Sequence, residues 1–266
     1  EAGLSDSYIP KTWDDLRDVA KKLTQRDSRG RIIVAGLSLD PQEWIPNAVY
    51  QQGRFLFNKD GTKANVNNDE YRAALQFISD IVHVDKIVDQ EILIERHNGM
   101  AGGKTEMYAG FSWIAGLLRN NAPDLNWIAV PIPTPDGSNQ PAYGNMRFAV
   151  EAVINPNASK AEKAVAWDFW HFNYSNNDVV RDDLAIFNGF LPPYDALLND
   201  AKILADPLAS VMAPLGEFGL INDLPQVVRA EMQELATAVV LDPSDLDGKL
   251  VSSQKVQNDL LSKRSD

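Results

Sequence analysis

The side chains able to do chemistry in this chain are few, and their spacing narrows what they could do. Cysteine is absent, which removes thiol nucleophiles, disulfides and thiolate zinc sites together. His83, His97 and His171 are the histidines, and no two have the four-residue spacing that sets a pair of imidazoles on one helix face. Each reads as a surface or packed residue, and no metal or other cofactor is expected. The stretch Asn98-Gly99-Met100-Ala101-Gly102-Gly103-Lys104-Thr105 ends like a phosphate-binding loop. It has Asn98 where that motif needs glycine, and charged Glu95-Arg96-His97 where it needs a buried strand, so a tight turn is the better reading. Ser112, in Gly110-Phe111-Ser112-Trp113-Ile114, lacks the second glycine of a nucleophile elbow. Asp242, Asp245 and Asp247 before Gly248 fail the calcium-loop spacing at Pro243 and Gln254. Paired carboxylates for glycoside hydrolysis remain open as a competing, enzymatic reading, because 37 acids supply pairs somewhere in any fold.

Tryptophan is more informative. Trp13, Trp127, Trp167 and Trp170 sit in periodic or apolar stretches and read as core. Trp44 and Trp113 instead stand at element starts, beside Asp40-Pro41-Gln42-Glu43 and Gly110-Phe111-Ser112. An indole so placed suits a sugar pocket: its ring covers the apolar face of a pyranose while neighbouring amides, carboxylates and guanidinium groups take the hydroxyls.

The elements that must position these residues follow from periodicity and caps. Thr12, with Asp14 and Asp15 after it, opens a helix whose apolar stripe is Leu16, Val19, Ala20 and Leu23. Ile32–Ala35 reads as a buried strand after the turn Asp27–Gly30, and 41–52 as a helix stopped by Gly53. Phe55–Phe57 reads as a short strand entering the turn Asn58–Gly61, and Asn68 caps a helix through Val82. Strands are expected over 105–109, 127–130 and 148–154. Further helices are expected over 112–121, from the capping box Ser159–Glu162 onward, and over 178–186, 224–240 and 250–263. Strands alternating with helices predict an α/β fold. The length of 266 residues predicts about two domains.

The charge balance excludes some partners. A net charge of −12 disfavours nucleic acid and anionic membrane surfaces, both of which reward a basic face. No apolar run is long enough to span a bilayer, and Glu1–Asp6 does not read as a signal segment.

Taken in order, several short stretches carry a resemblance. They are Pro10-Lys11-Thr12-Trp13-Asp14-Asp15-Leu16, Trp44 with Gly53-Arg54, and Gly103-Lys104-Thr105-Glu106-Met107 with Gly110 and Trp113. Trp127-Ile128-Ala129-Val130-Pro131-Ile132-Pro133, Tyr143-Gly144-Asn145 and Lys163–Phe169 follow. In this order the chain resembles the extracellular solute-binding proteins of ABC importers, the large family that includes maltose-binding protein, from about Tyr8 to Leu261.

The resemblance implies a type II periplasmic-binding-protein-like α/β fold lacking about its first third. Residues 8–154 and 215–266 would form the C-terminal lobe, and 155–214 a helical remnant of the N-terminal lobe. It implies capture rather than catalysis: a saccharide held in an interlobe cleft and delivered to a membrane permease, outside the cytoplasm. Matching positions give Glu43, Trp44, Ser112, Trp113, Asn145, Met146 and Arg147 as ligand contacts. The maltose-type proteins carry aromatic residues on the helix matching 226–238, where this chain has Glu231, Met232 and Gln233, so a different saccharide is implied. With part of the cleft absent, the chain alone is expected to bind sugar weakly. The aromatic faces near Trp167, Trp170 and Phe187 are expected to need another cover, such as a partner chain, a second copy or a rearranged segment. A binding module for a non-sugar solute is the remaining alternative.

Overall fold

A computed structural model describes residues 8–89, 98–138, 153–192, 194–214 and 224–263. In chain order its first elements are α1 (Trp13–Leu23), β1 (Gln25–Arg26), β2 (Ile32–Val34), β3 (Ser38–Leu39), α2 (Pro41–Gln51), α3 (Asp69–His83), β4 (Tyr108–Ala109) and α4 (Ile114–Asn121). There follow α5 (Lys160–Ser175), α6 (Asn177–Val179), a π-helix (Val180–Phe187), α7 (Asp195–Leu198), α8 (Ala201–Ala205), α9 (Ala209–Met212), α10 (Gln226–Leu241) and α11 (Leu246–Ser262). The chain divides into two compact units. One holds the described parts of Glu1–Phe111, Ile132–Asn145 and Phe218–Asp266, the other those of Ser112–Pro131 and Met146–Glu217.

In the first unit, Thr12 caps α1 as its sequence predicts. Its hydroxyl accepts from the Asp15 N–H at 2.9 Å, and the Asp15 carboxylate accepts in return from the Thr12 N–H at 3.0 Å. Reciprocal capping of this kind contributes about 1 kcal/mol. Leu16, Val19 and Ala20 are buried. The hairpin of β1 and β2 turns at Asp27, whose carboxylate accepts from the N–H groups of Arg29 and Arg31. Next the backbone crosses against α1 at Gly36, where a Cβ would sit 1.8 Å from the Ala20 carbonyl oxygen; no larger residue fits. β3 pairs in parallel with β4, and an Ala35–Thr105 bridge continues that pairing. The glycine-rich stretch ahead of Thr105 is a turn, closed by the N–H groups of Gly102 and Lys104 on the carbonyls of Asn98 and Gly99.

The core of this unit lies between helices. Ile45 and Val49 of α2, Leu75 and Ile78 of α3, Val228 and Met232 of α10 and Leu250 of α11 belong to one apolar cluster. Asn68 caps α3 with its side-chain oxygen on the Tyr71 N–H at 2.7 Å. Arg17 of α1 ties down the other end of α3, 3.0 Å from Asp80 and 2.5 Å from Asp85. α11 begins four residues earlier than periodicity predicts. Asp245 takes a left-handed conformation (φ +49°) and its carboxylate accepts from the Gly248 N–H at 3.1 Å, which starts the helix at Leu246. Asp247 pairs with Arg72, and Asp242 caps Ser244, so the three acids that faintly suggested calcium hold the chain together.

The second unit is built on polar pins. Arg119 of α4 reaches Asp206 at 2.5 Å and the Phe187 carbonyl at 3.1 Å, while Asp206 also accepts from the Leu208 and Ala209 N–H groups. These contacts group residues 112–131 with the 153–214 segment, whereas the resemblance assigns them to the other lobe. Gly189 (φ +76°) approaches α4 so closely that a Cβ would lie 2.5 Å from the Ser112 carbonyl oxygen. The helix expected over 178–186 is a π-helix from Val180 onward. Its wider turn brings residues five apart onto one face, and Val180 and Ala185 are accordingly both buried.

Two expectations need correction here, and a third is not tested. Ser159 and Glu162 form the expected capping box of α5, yet that helix buries none of its residues: Trp167 is 54% exposed and Phe169 70%, while Trp170 is half-buried and stacks on Trp167 at 5.7 Å. Neither tryptophan is fully buried: Trp167 is open among the described residues, and Trp170 is covered only in part. Residues 127–130 join no sheet, since Pro131 and Pro133 remove ladder donors from the continuation; Trp127 lies under the Arg119 guanidinium, 5.5 Å from its ring centroid. The strand expected over 148–154 falls almost wholly outside the described residues.

Candidate functional site

Glu43 stands in the first turn of α2, a position that favours an acid on helix-dipole grounds. The helix is capped by Asp40, whose side chain accepts from the Gln42 N–H at 2.9 Å, and Pro41 opens it. Almost every residue of α2 is buried, polar Glu43 and Asn47 included. The Asn47 amide donates to the Glu43 carbonyl at 2.9 Å and to its carboxylate at 3.4 Å. Burial above all, then the neighbouring Asp40 charge, pushes the Glu43 carboxyl up to about 8, against the opposing pull of Arg229. At neutral pH this acid is therefore mostly protonated and can donate a hydrogen bond.

Trp44 is placed differently from a sugar platform. Its ring is 1% exposed, stacked on Phe77 at 4.2 Å and tilted against Trp13 at 5.3 Å. Its indole N–H donates to the Ala74 carbonyl at 3.1 Å. Both ring and polar edge are engaged, so in this structure Trp44 anchors α2 on α3. Its neighbours in the helix, Ile45, Pro46, Ala48 and Val49, are buried with it.

Ser112 and Trp113 begin α4 in the second unit, both half-buried, with the Ser112 carbonyl accepting from the Ala115 N–H and the Trp113 carbonyl from the Gly116 N–H. Glu43 and Trp44 are thus brought together on one helix, and Ser112 and Trp113 at the start of another. Asn145, Met146 and Arg147 lie outside the described residues.

Two further features lie outside the expected contacts. Arg229 and Gln233 sit on α10, which packs against α2; the buried Arg229 Nε and Gln233 Oε1 have no hydrogen-bond partner among the described residues. Each follows a buried apolar residue, Val228 or Met232, and this repeat at a spacing of four was the available signal. The second unit also holds an aromatic depression of about 330 Å³, lined by Phe169, Trp170, Asn173, Tyr174, Asp183 and Leu184.

Against known structures, the fold is that of the type II periplasmic binding proteins. The chain superposes with a TM-score of 0.77 and 18% identity on the maltose/maltodextrin-binding domain of Bdellovibrio bacteriovorus bound to maltotriose, covering 97% of this chain and 68% of that one. An ABC transporter solute-binding protein from Thermotoga lettingae, bound to α-D-tagatose, gives 0.76 at 20% identity, covering 98% of this chain and 67% of that one. By sequence, the maltotriose-binding protein of Pyrococcus abyssi is 22% identical over 211 residues, 76% of this chain and 43% of that protein. The chain thus spans less than half the length of that relative. Residues 2–213 match the model of the bacterial extracellular solute-binding proteins, and the chain belongs to that family, which binds solutes and is not a family of enzymes.

Proposed function

We propose that this chain forms the saccharide-holding part of an ABC importer's solute receptor, working outside the cytoplasm and passing its cargo to a membrane permease. The observation that carries the reading is the family match along most of the chain, joined to relatives bound to maltotriose and to tagatose. In this reading 8–154 and 215–266 belong to the C-terminal lobe and 155–214 to the N-terminal lobe. Glu43, Ser112, Trp113, Asn145, Met146 and Arg147 face the ligand. Trp44 supports them by fixing α2, from whose first turn Glu43 offers a carboxyl group to sugar hydroxyls. Capture then proceeds by closure of two lobes, which needs a ligand that contacts both. The aromatic side of α5 is covered by another segment, a partner chain or a second copy.

Saturation-transfer NMR on the 266-residue chain with a panel of saccharides, a polyamine and a short peptide tests the reading. Transfer to at least one neutral saccharide is expected, with none to the polyamine or peptide. Transfer confined to the polyamine or peptide would replace the sugar reading with another cargo.

A further inference from the structure

Residues 64–66 run as an extended edge in the first unit. Phe57 and Ala64 form an antiparallel bridge, and the Asn65 N–H donates to the Leu56 carbonyl at 2.7 Å. Peptide groups of an extended chain point alternately to its two sides, so those of Ala64 and Val66 turn away from that pairing. Both residues are buried, and backbone groups shielded from water need partners. Among the described residues no strand supplies them. Two side chains of α11 do. The Gln254 amide oxygen accepts from the Val66 N–H at 2.7 Å and the Asn67 N–H at 3.2 Å, and its nitrogen donates to the Ala64 carbonyl. The Asn258 oxygen accepts from the Ala64 N–H at 2.9 Å. Residues four apart share one helix face, so both amides meet the same edge.

A primary amide offers a carbonyl and N–H donors, as a peptide does. Gln254 bonds the Ala64 carbonyl and the Val66 N–H together, the two groups that one residue of a neighbouring parallel strand would bond. Packing alone does not call for this, since Leu250 and Leu261 already seat α11 in the apolar cluster. An uncovered edge is a template for another chain. We infer that α11 guards this edge: Gln254 and Asn258 hold it closed against strand addition by a second copy of the chain. The edge itself names that occupant. A two-fold axis at Asn65 sets Ala64 of each copy against Val66 of the other, so the edge is its own complement. The Val66 carbonyl accepts from the Asn68 N–H and keeps a second lone pair for such a partner. Residues 61–68 carry one charge, Lys63, and no acid, in a chain of net charge −12. Two copies therefore meet there without facing carboxylates. The inference is independent of the solute reading.

The test reads amide hydrogen exchange by NMR and self-association by sedimentation velocity, both on the 266-residue chain. Asn258→Leu should speed exchange at Ala64 about tenfold or more, and Gln254→Met should do so at Val66. Asn258→Asp keeps the accepting oxygen and should leave Ala64 close to the parent. The chain with both Gln254→Met and Asn258→Leu should self-associate at concentrations about tenfold or more below any the parent needs. Adding Asn67→Lys sets a second cation opposite Lys63 of the other copy and should reverse that gain. Association that Asn67→Lys leaves unchanged lies on another face and overturns the inference. Faster exchange with no added association overturns it as well, and so does unchanged exchange in both single variants. Should the double variant not fold, Gln254→Met with and without Asn67→Lys makes the same comparison.

Discussion

The two compact units solve the problem of staying folded in opposite ways. The first encloses a continuous apolar cluster drawn from α1, α2, α3, α10 and α11, with tryptophan, tyrosine and isoleucine side chains fully buried. Among the described residues the second has a small buried cluster of Val180, Ala185, Leu197, Ile203 and Ala209, and relies on Arg119 and Asp206 to join its helices. Apolar burial contributes roughly 25 cal/mol per Å², whereas a partly exposed ion pair contributes little unless one partner is stranded without the other. The first unit should thus hold its own shape under conditions that loosen the second.

That contrast can be broken most forcefully through Ile78 and its counterpart Ile203, both fully buried. Ile78→Ala should cost about 3–5 kcal/mol, because the surrounding cluster cannot collapse into the cavity. Ile203→Ala should cost about 2–3 kcal/mol, since short helices around a small core relax more easily. Urea denaturation read by circular dichroism would measure both; equal losses would mean that the second core is as rigid as the first.

Acidity probes the first unit alone. The folded Glu43 carboxyl titrates near 8, against an ordinary value of 4.5, so the native state binds the proton more tightly than the unfolded chain between those values. Its stabilising effect is complete below about pH 4.5 and is lost as pH rises through 8. The slope is up to about 1.4 kcal/mol per pH unit. Glu43→Gln should remove that dependence: variant and parent should have similar thermal midpoints near pH 5, and the variant should melt higher at pH 9. A parallel pair of pH profiles would show the carboxyl to be ordinary.

In the second unit, Arg119→Ala should cost about 2–3 kcal/mol by leaving the Asp206 carboxylate buried without its cation. Hydrogen exchange read by mass spectrometry should show faster exchange in α4 and α9, with α3 unchanged. The smallest effect belongs to Phe169→Ser on the open side of α5, expected within about 0.5 kcal/mol of zero. A loss above about 1 kcal/mol would reveal that this side is covered in solution.

What could be read in the sequence followed the same division. Capping side chains act over three residues, so Thr12, Asn68 and Ser159 announced α1, α3 and α5 without knowledge of the fold. Gly53, in a left-handed conformation (φ +79°) after α2, was equally legible. α2 itself was harder. Periodicity fails for a helix buried on nearly every side, and the flanking polar residues made Trp44 look like a rim residue when it lies against Phe77 and Trp13. The π-helix was invisible because its spacing differs from an α-helix by one residue in register, which Val180 and Ala185 reveal only once packed. Among the expected contacts, Glu43 was proposed by matching to the family, and its burial could not be foreseen from a helix start rich in polar residues. Arg229 carried no signal of its own, since a polar side chain at an i, i+4 interval looks the same whether it meets water or a neighbouring helix.

The packing of Trp13 and Trp44 has a spectroscopic corollary. These are the tryptophans of the first unit, and Trp44 lies in a dry, rigid setting, whereas Trp113, Trp127 and Trp170 of the second unit are half-buried and Trp167 is open to solvent. Intrinsic emission should therefore contain a blue component from one unit and a red component from the other. As denaturant rises, the two colours should change at different concentrations, giving each unit its own optical signal without any attached label.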